Sequence, residues 1–299
     1  MSTTTVMTMM LAASTAAATL QTAEPVIEVS QEASTPYDPF APGRSDTELS
    51  LTIRDAPPGA ILTAEPSAGA PLVMASPDGA ELPYLLRDEA GRAARQGARL
   101  EVILPDPGID EAMVREARLD LRLVAEPGIV APPGRYEATL DLSVLDANGA
   151  LLTEFLAVPA AIEVIARTQV VLAGTSGAFD PAASVGFVDF GTLETGERRR
   201  LFVTVRANAP SQITVTSENG GRMTLRDAGG AAVPGGGAIS YDVTLDGAAS
   251  GLGAPLVLRR EPPLNASGVP YPFDIVIGTV SGAFAGTYRD DLLVEVRPD

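Results

Sequence analysis

LFVTVRANAPSQITVTSENGGRMTL, residues Leu201–Leu225, is the stretch from which the fold is read. Ile213 and Val215 alternate with Thr214 and Thr216, and Met223 and Leu225 resume the alternation after a polar turn. A period of two places one face of an extended chain in a core and the other in water, so both flanks read as half-buried strands. The turn carries Glu218, Asn219, Gly220, Gly221 and Arg222. Asn-Gly and Gly-Gly supply the positive-φ positions of tight turns, which predicts the corner of a β-hairpin. A phosphate-cradling loop is the rival. It wants a helix N-terminus after the glycines and often a lysine, whereas β-type residues follow here and all 21 basic residues are arginine.

The rest of the composition agrees with strands. Hydrophobic residues make up 45% of the 299 positions, enough for real cores, yet only 5% are aromatic and none is Trp. The 29 Gly and 25 Pro predict frequent turns. A formal net charge of −17 repels phosphate backbones and anionic lipid, which argues against nucleic acid and membrane surfaces as partners. With no Cys, His or Lys, the chain has no thiol nucleophile, no Ser-His-Asp triad, no Cys/His zinc site, no Schiff base and no Walker lysine. Asp and Glu are scattered through strand and turn contexts rather than paired. We therefore expect no catalytic, cofactor-binding or metal residues, and a chain that is not an enzyme.

Residues 1–23 read as a signal peptide. Apolar and small residues run from Met9 to about Leu20, Ala16–Ala18 and Ala23 offer cleavage positions, and charge begins at Glu24. The start carries no Arg or Lys, and the alternative is a Thr/Ala-rich tail. The expected mature start lies between Thr19 and Glu24. No other stretch approaches the length of a membrane span.

Leu201–Leu225 has a partner earlier in the chain. LSLTIRDAPPGAILTAEPSAGAPLV, Leu49–Val73, aligns with it without a gap at an offset of 152 (201 minus 49). Leu49/Leu201, Thr52/Thr204, Arg54/Arg206, Pro58/Pro210, Ile61/Ile213 and Gly69/Gly221 are identical. The offset of 152 returns in GRYEATLDLSV from Gly134 and GTYRDDLLVEV from Gly286, matching Tyr136 with Tyr288 and Leu140, Leu142 and Val144 with Leu292, Val294 and Val296. Around Tyr84 and Tyr241 it becomes 157, as an insertion in the glycine-rich 229–238 region would produce. The chain thus divides into a possible signal peptide (1–23), an acidic, Pro-rich lead-in (24–48) and two repeat units (49–166 and 167–299). The fold class is all-β: two tandem immunoglobulin-like β-sandwiches. Asp110–Leu123 alone reads as partly helical, although LDLRLV within it is equally compatible with a strand.

Four phrases of the second unit occur in a telling order: FVDFGTLETGERRRLFVTV, TVTSENGGRM, ISYDVTL and FAGTYRDDLLVEV. Over roughly residues 180–299 this order resembles the spore coat protein U-like domain, the pilin-type module of archaic chaperone–usher pili. Family members commonly carry a cysteine pair, which this chain lacks. The resemblance implies an incomplete immunoglobulin-like sandwich whose last strand is donated by a periplasmic chaperone or a neighbouring pilin subunit, assembled through an usher. It points to Tyr288, Leu292, Val294 and Val296 as candidates for lining the strand-acceptor groove.

The two units end differently. After GRYEATLDLSV the first continues through LLTEFLAVPAAIEVIA, which supplies a final strand, while nothing comparable follows Val296 within the sequence. Ala160–Ala173 can equally be read as the first strand of the second unit. Asp146–Gly149 resembles a calcium loop but lacks the downstream Glu, so a hairpin turn is expected. Asn265–Ser267 fits a glycosylation sequon, and Arg198–Arg200 reads as solvated charge before a strand.

The expected function is a secreted structural or adhesive pilus subunit, exported through the periplasm to the cell surface and assembled by donor-strand complementation. A secreted or periplasmic β-sandwich that binds carbohydrate or protein is the alternative, for which the low aromatic content is a poor match. A carboxylate-dependent hydrolase is the third, for which no acid pair is visible.

Overall fold

The computed structural model of the protein describes residues 24–31, 34–41, 45–94, 99–105, 108–109, 115–173 and 186–299. The signal-peptide segment 1–23 and the helical turn expected at Asp110–Met113 lie outside the described residues.

The all-β reading holds. The first ten strands are β1 (Val26–Gln31), β2 (Asp46–Arg54), β3 (Ile61–Pro66), β4 (Val73–Ala75), β5 (Glu81–Asp88), β6 (Leu100–Ile103), β7 (Gly108–Ile109), β8 (Arg115–Ala125), β9 (Gly134–Leu145) and β10 (Leu151–Val164). They form one folded sheet in the order β1-β2-β8-β5-β4-β9-β3-β6, with β10 on β9 and β7 on β8. The next ten are β11 (Thr168–Ala173), β12 (Arg198–Ala207), β13 (Ser211–Ser217), β14 (Arg222–Arg226), β15 (Ala238–Leu245), β16 (Ala248–Ser250), β17 (Leu256–Arg260), β18 (Val269–Ile277), β19 (Thr287–Arg289) and β20 (Leu292–Pro298). They form two sheets: β11-β12-β18-β15-β14-β19, with β16 on β15, and β17-β13-β20. No ladder among the described residues joins a strand of 26–164 to one of 168–298. We call these stretches the N-terminal and C-terminal units.

Alternation dictates the burial. β2 buries Leu49, Leu51 and Ile53 on one face together with Thr47, and β15 buries Ile239, Tyr241, Val243 and Leu245. Each unit has its own apolar cluster, the first built around Tyr37, Tyr84 and Tyr136 and the second around Tyr241 and Phe273. In both, a tyrosine hydroxyl donates to the carbonyl four residues back: Tyr136 to Pro132 at 2.9 Å and Tyr288 to Phe284 at 3.0 Å. This bond pins the start of a late strand to the preceding loop, as the tyrosine corner of immunoglobulin-like sandwiches does.

Several expectations are corrected. Arg115–Leu123 is strand throughout, because its buried residues alternate at period two rather than at helical spacing. The lead-in 24–48 is structural: β1 pairs with β2 over six residues, and Ile27 and Tyr37 are buried in the first cluster. Arg198–Arg200 lie within β12 rather than before it, and Arg200 makes a two-pronged pair with Asp274 at 2.8 and 2.9 Å. Asp146–Gly149 is a hairpin turn as expected, with Asp146 Oδ1 accepting from the backbone N–H of Asn148 and of Ala150, both at 2.8 Å.

The hairpin expected at Ile213–Leu225 is not one. β13 pairs with β17 and β20, whereas β14 pairs with β15 and β19. The polar turn is the corner where the chain crosses from one sheet to the other. Gly221 serves close approach: it has φ +78°, and a Cβ there would stand 1.8 Å from the Gly251 carbonyl oxygen.

Candidate functional site

The polar corner captures an anion from its own chain. The Asp290 carboxylate accepts from Ser217 Oγ at 2.5 Å, from the Asn219 backbone N–H at 3.2 Å and from Asn219 Nδ2 at 2.7 Å. The buried Tyr241 hydroxyl donates to the same carboxylate. Burial first, and then Asp290, raise the Tyr241 pKa, so its proton stays in place. Asp290 thereby fixes the segment that links β19 to β20. Sequence reasoning passed over it, although it stands in the GTYRDD phrase beside Tyr288.

Beyond that segment lies an open seam. Among the described residues β20 pairs along one edge only, with β13, from Leu292↔Ser217 to Pro298↔Ser211. β11 likewise pairs along one edge, with β12. The free edges of β11 and β20 meet at one end, where Thr168 Oγ1 donates to the Val296 carbonyl at 3.4 Å, and no ladder joins them among the described residues. The predicted residues Leu292, Val294 and Val296 lie together on β20, and Tyr288 lies on β19 opposite Leu225. All four pack against the second cluster but stay half-buried, as do Val170 and Leu172 on β11 and Leu201 on β12.

The N-terminal unit shows the same seam filled. β10 pairs with β9 from Leu151↔Leu145 to Val164↔Gly134, interrupted by bulges, with Ala157 at φ +56°. Past the bulge, Val158, Ala160, Ile162 and Val164 alternate inward and are buried. The strand is held from the other side by Thr47 Oγ1, which donates to the Ala161 carbonyl at 2.5 Å. Under this cover Leu49, Tyr136, Leu140, Leu142 and Val144 are each 0% exposed. Their partners at the offset of 152 are Leu201, Tyr288, Leu292, Val294 and Val296, all half-buried. Farther from the seam the contrast vanishes: Leu51 and Ile53, like Val203 and Val205, are at most 1% exposed.

The seam can pair a backbone and accept alternate apolar side chains; it offers little else. Among the described residues no group of three or more acidic side chains could hold a metal ion, and no helix is long and apolar enough to cross a membrane.

No family model matches the chain, and no curated protein matches it. Among solved structures it resembles the tip adhesion subunit complex CsuC–CsuE of archaic chaperone–usher Csu pili of Acinetobacter baumannii. That match has 14% identity and a TM-score of 0.41, covering 89% of this chain and 92% of the other. The CupB6 tip adhesin of Pseudomonas aeruginosa matches at 12% identity and a TM-score of 0.33, covering 91% and 94%. CfaE, the adhesive subunit of CFA/I fimbria of enterotoxigenic Escherichia coli, matches at 10% and 0.35, covering 80% and 81%. At such identities and TM-scores the likeness by itself decides neither family nor role.

Proposed function

We propose that the protein is an exported subunit or tip adhesin of a surface pilus, built from two tandem sandwich domains that arose by duplication. Its C-terminal domain takes its last strand from another polypeptide: a chaperone before assembly and a neighbouring pilin subunit afterwards. The observation that carries this reading is the contrast at five positions of the repeat, where each seam residue buried in the N-terminal unit has a half-buried counterpart along the open seam. An open edge with apolar side chains beside it is a pairing site by its physics, because unpaired N–H and C=O groups and uncovered apolar area are satisfied together by one added strand. Full burial of side chains such as Val158, Ile162 and Val164 is worth roughly 1.5–3 kcal/mol each. A donated strand of that pattern therefore gains about 4.5–9 kcal/mol before ordering costs.

The test appends Leu152–Ile165 to the C-terminus of the full chain through a flexible linker, with a scrambled segment as control. Thermal unfolding should show the C-terminal transition raised by on the order of 10 °C with the native segment and unmoved with the scrambled one. An equally small change with both segments would sink the strand-acceptor reading.

A further inference from the structure

The joint between the two units shows how a filled seam is left. β10 ends at Val164, three residues follow, and β11 begins at Thr168. The exit is held by Tyr37, whose backbone N–H donates to the Glu163 carbonyl at 2.7 Å and whose carbonyl accepts from Ile165 N–H at 3.0 Å. The Tyr37 hydroxyl lies 2.9 Å from the carbonyl oxygens of Glu126 and Ile129, binding the exit to the loop before β9. The C-terminal unit is seated on this end face. Arg167 Nε donates to Asp38 Oδ2 at 2.8 Å, and the fully buried Asn208 donates through Nδ2 to the carbonyls of Ala131 at 3.0 Å and Ile165 at 2.9 Å.

The C-terminal unit has the same end face with nothing seated on it among the described residues. It lies at the end opposite Asn208, where Ile277 N–H donates to the Glu197 carbonyl at 2.9 Å and Gly196 N–H to the Ile277 carbonyl at 2.8 Å. Ala283 and Phe284 stand where Ala131 and Pro132 stand, each at the offset of 152, and the Tyr288–Phe284 bond repeats Tyr136–Pro132. Asp189 takes the place of Asp38: each precedes the second strand of its unit and accepts from the N–H two residues on, Gly191 at 2.8 Å and Phe40 at 3.0 Å. Val280 N–H donates to Thr195 Oγ1 at 3.1 Å, joining this stretch to the loop before β19. Asp189 is exposed, and so are Phe187 and Phe284, at 86% and 61%.

We infer that the Asp189–Phe284 end of the C-terminal unit is a docking face for a further module of the same fold, entered as the C-terminal unit enters the N-terminal one. The incoming strand runs along the seam toward this end and leaves it beside Asp189. A basic residue of the short linker meets that carboxylate, as Arg167 meets Asp38, and the body of the next module covers Phe187 and Phe284. This inference rests on the strand-acceptor reading and adds to it a direction, an exit and a linker charge.

Because the chain has no cysteine, a disulfide trap is clean. The probe is a synthetic peptide of residues 152–168 carrying Cys in place of Arg167. It is offered under mild oxidation to the full chain bearing Asp189→Cys, Ser281→Cys on the facing loop, or Asp246→Cys at the opposite end. The expected result is a rise in melting temperature with the peptide and cross-linking at Asp189→Cys and Ser281→Cys at least about tenfold faster than at Asp246→Cys, since a bound strand raises the local thiol concentration only at its exit. A raised melting temperature with equal rates, or with preference for Asp246→Cys, overturns the docking face and leaves strand acceptance standing. No rise and no preference overturns both.

Discussion

The late strands β9 and β20 carry the same apolar pattern at an offset of 152 positions and live in different surroundings. Leu140, Leu142 and Val144 lie between β3 on one side and β10 on the other and see no solvent. Leu292, Val294 and Val296 have β13 on one side and, among the described residues, an open edge on the other, and remain half-buried. A strand's own residues set which face is apolar; its neighbours set how much of that face leaves water. The open seam is thus a property of what is beside β20 rather than of β20 itself.

The largest expected difference follows directly. Leu142→Ala opens a cavity in a sealed core and should cost about 3 kcal/mol, while Val294→Ala, already partly wet, should cost about 1 kcal/mol or less. Urea unfolding of the two variants, followed by circular dichroism, measures both. Equal costs would mean that the two seams are equally closed.

A smaller contrast comes from the paired tyrosines of β5 and β15. The Tyr241 hydroxyl donates to the Asp290 carboxylate, whereas the buried Tyr84 hydroxyl has no hydrogen-bond partner among the described residues, and burial alone pushes its pKa up to about 12. The residue at the Asp290 offset in the N-terminal unit is Ala138, which offers no acceptor. Tyr241→Phe should therefore destabilise by about 1.5–3 kcal/mol, the range for a bond to a charged group, and Tyr84→Phe should be neutral or stabilising by up to about 1 kcal/mol. Thermal shifts of opposite sign, or one near zero, sharpen the comparison; equal losses would break it.

The smallest effect is shared by both units. In the N-terminal unit, hydrogen bonds from Ala157 N–H and Ser67 hold the Asp141 pKa below the usual range. In the C-terminal unit, the Arg200 hydrogen bond does the same for Asp274. A depressed carboxylate contributes stability that is fully present above its unfolded pKa of about 3.9 and is lost as pH falls through the folded value. Melting temperatures followed downward from pH 5 should start to fall near pH 4. Asp141→Asn and Asp274→Asn should each flatten that fall slightly, since each removes one carboxylate whose ionised form the fold favours. An unchanged slope in both variants would show that other carboxylates govern acid unfolding.

Much of this was legible in the residues. Alternation at β2, β12, β13 and β15 and the turn residues between them gave an all-β chain, and the position of GRYEATLDLSV against GTYRDDLLVEV aligned β9 with β19 and β20. The site candidates Leu292, Val294 and Val296 do face one cluster together. Asp290 and Asn208 were missed, because each acts on residues remote in sequence: Asp290 on Ser217 and Tyr241, and Asn208 on Ala131. A spacing repeated within the chain can announce a strand, but a lone polar residue shows no sign in the sequence of which distant backbone it will meet.

The sequence by itself determined where the chain is extended, which face of each strand is apolar, and where it must turn, since these follow from side-chain period and from the φ preferences of Gly, Asn and Asp. Pairing was decided only in three dimensions. β13 and β14 look like a hairpin and belong to different sheets, and Ala160–Ala173, readable as one strand opening the second unit, divides: Ala160–Val164 ends β10 and seals the first unit, while Thr168–Ala173 opens the second as β11. The physical reason is that a strand's hydrogen-bonding groups are the same along every residue, so its partner is chosen by which edges the packed cores leave free.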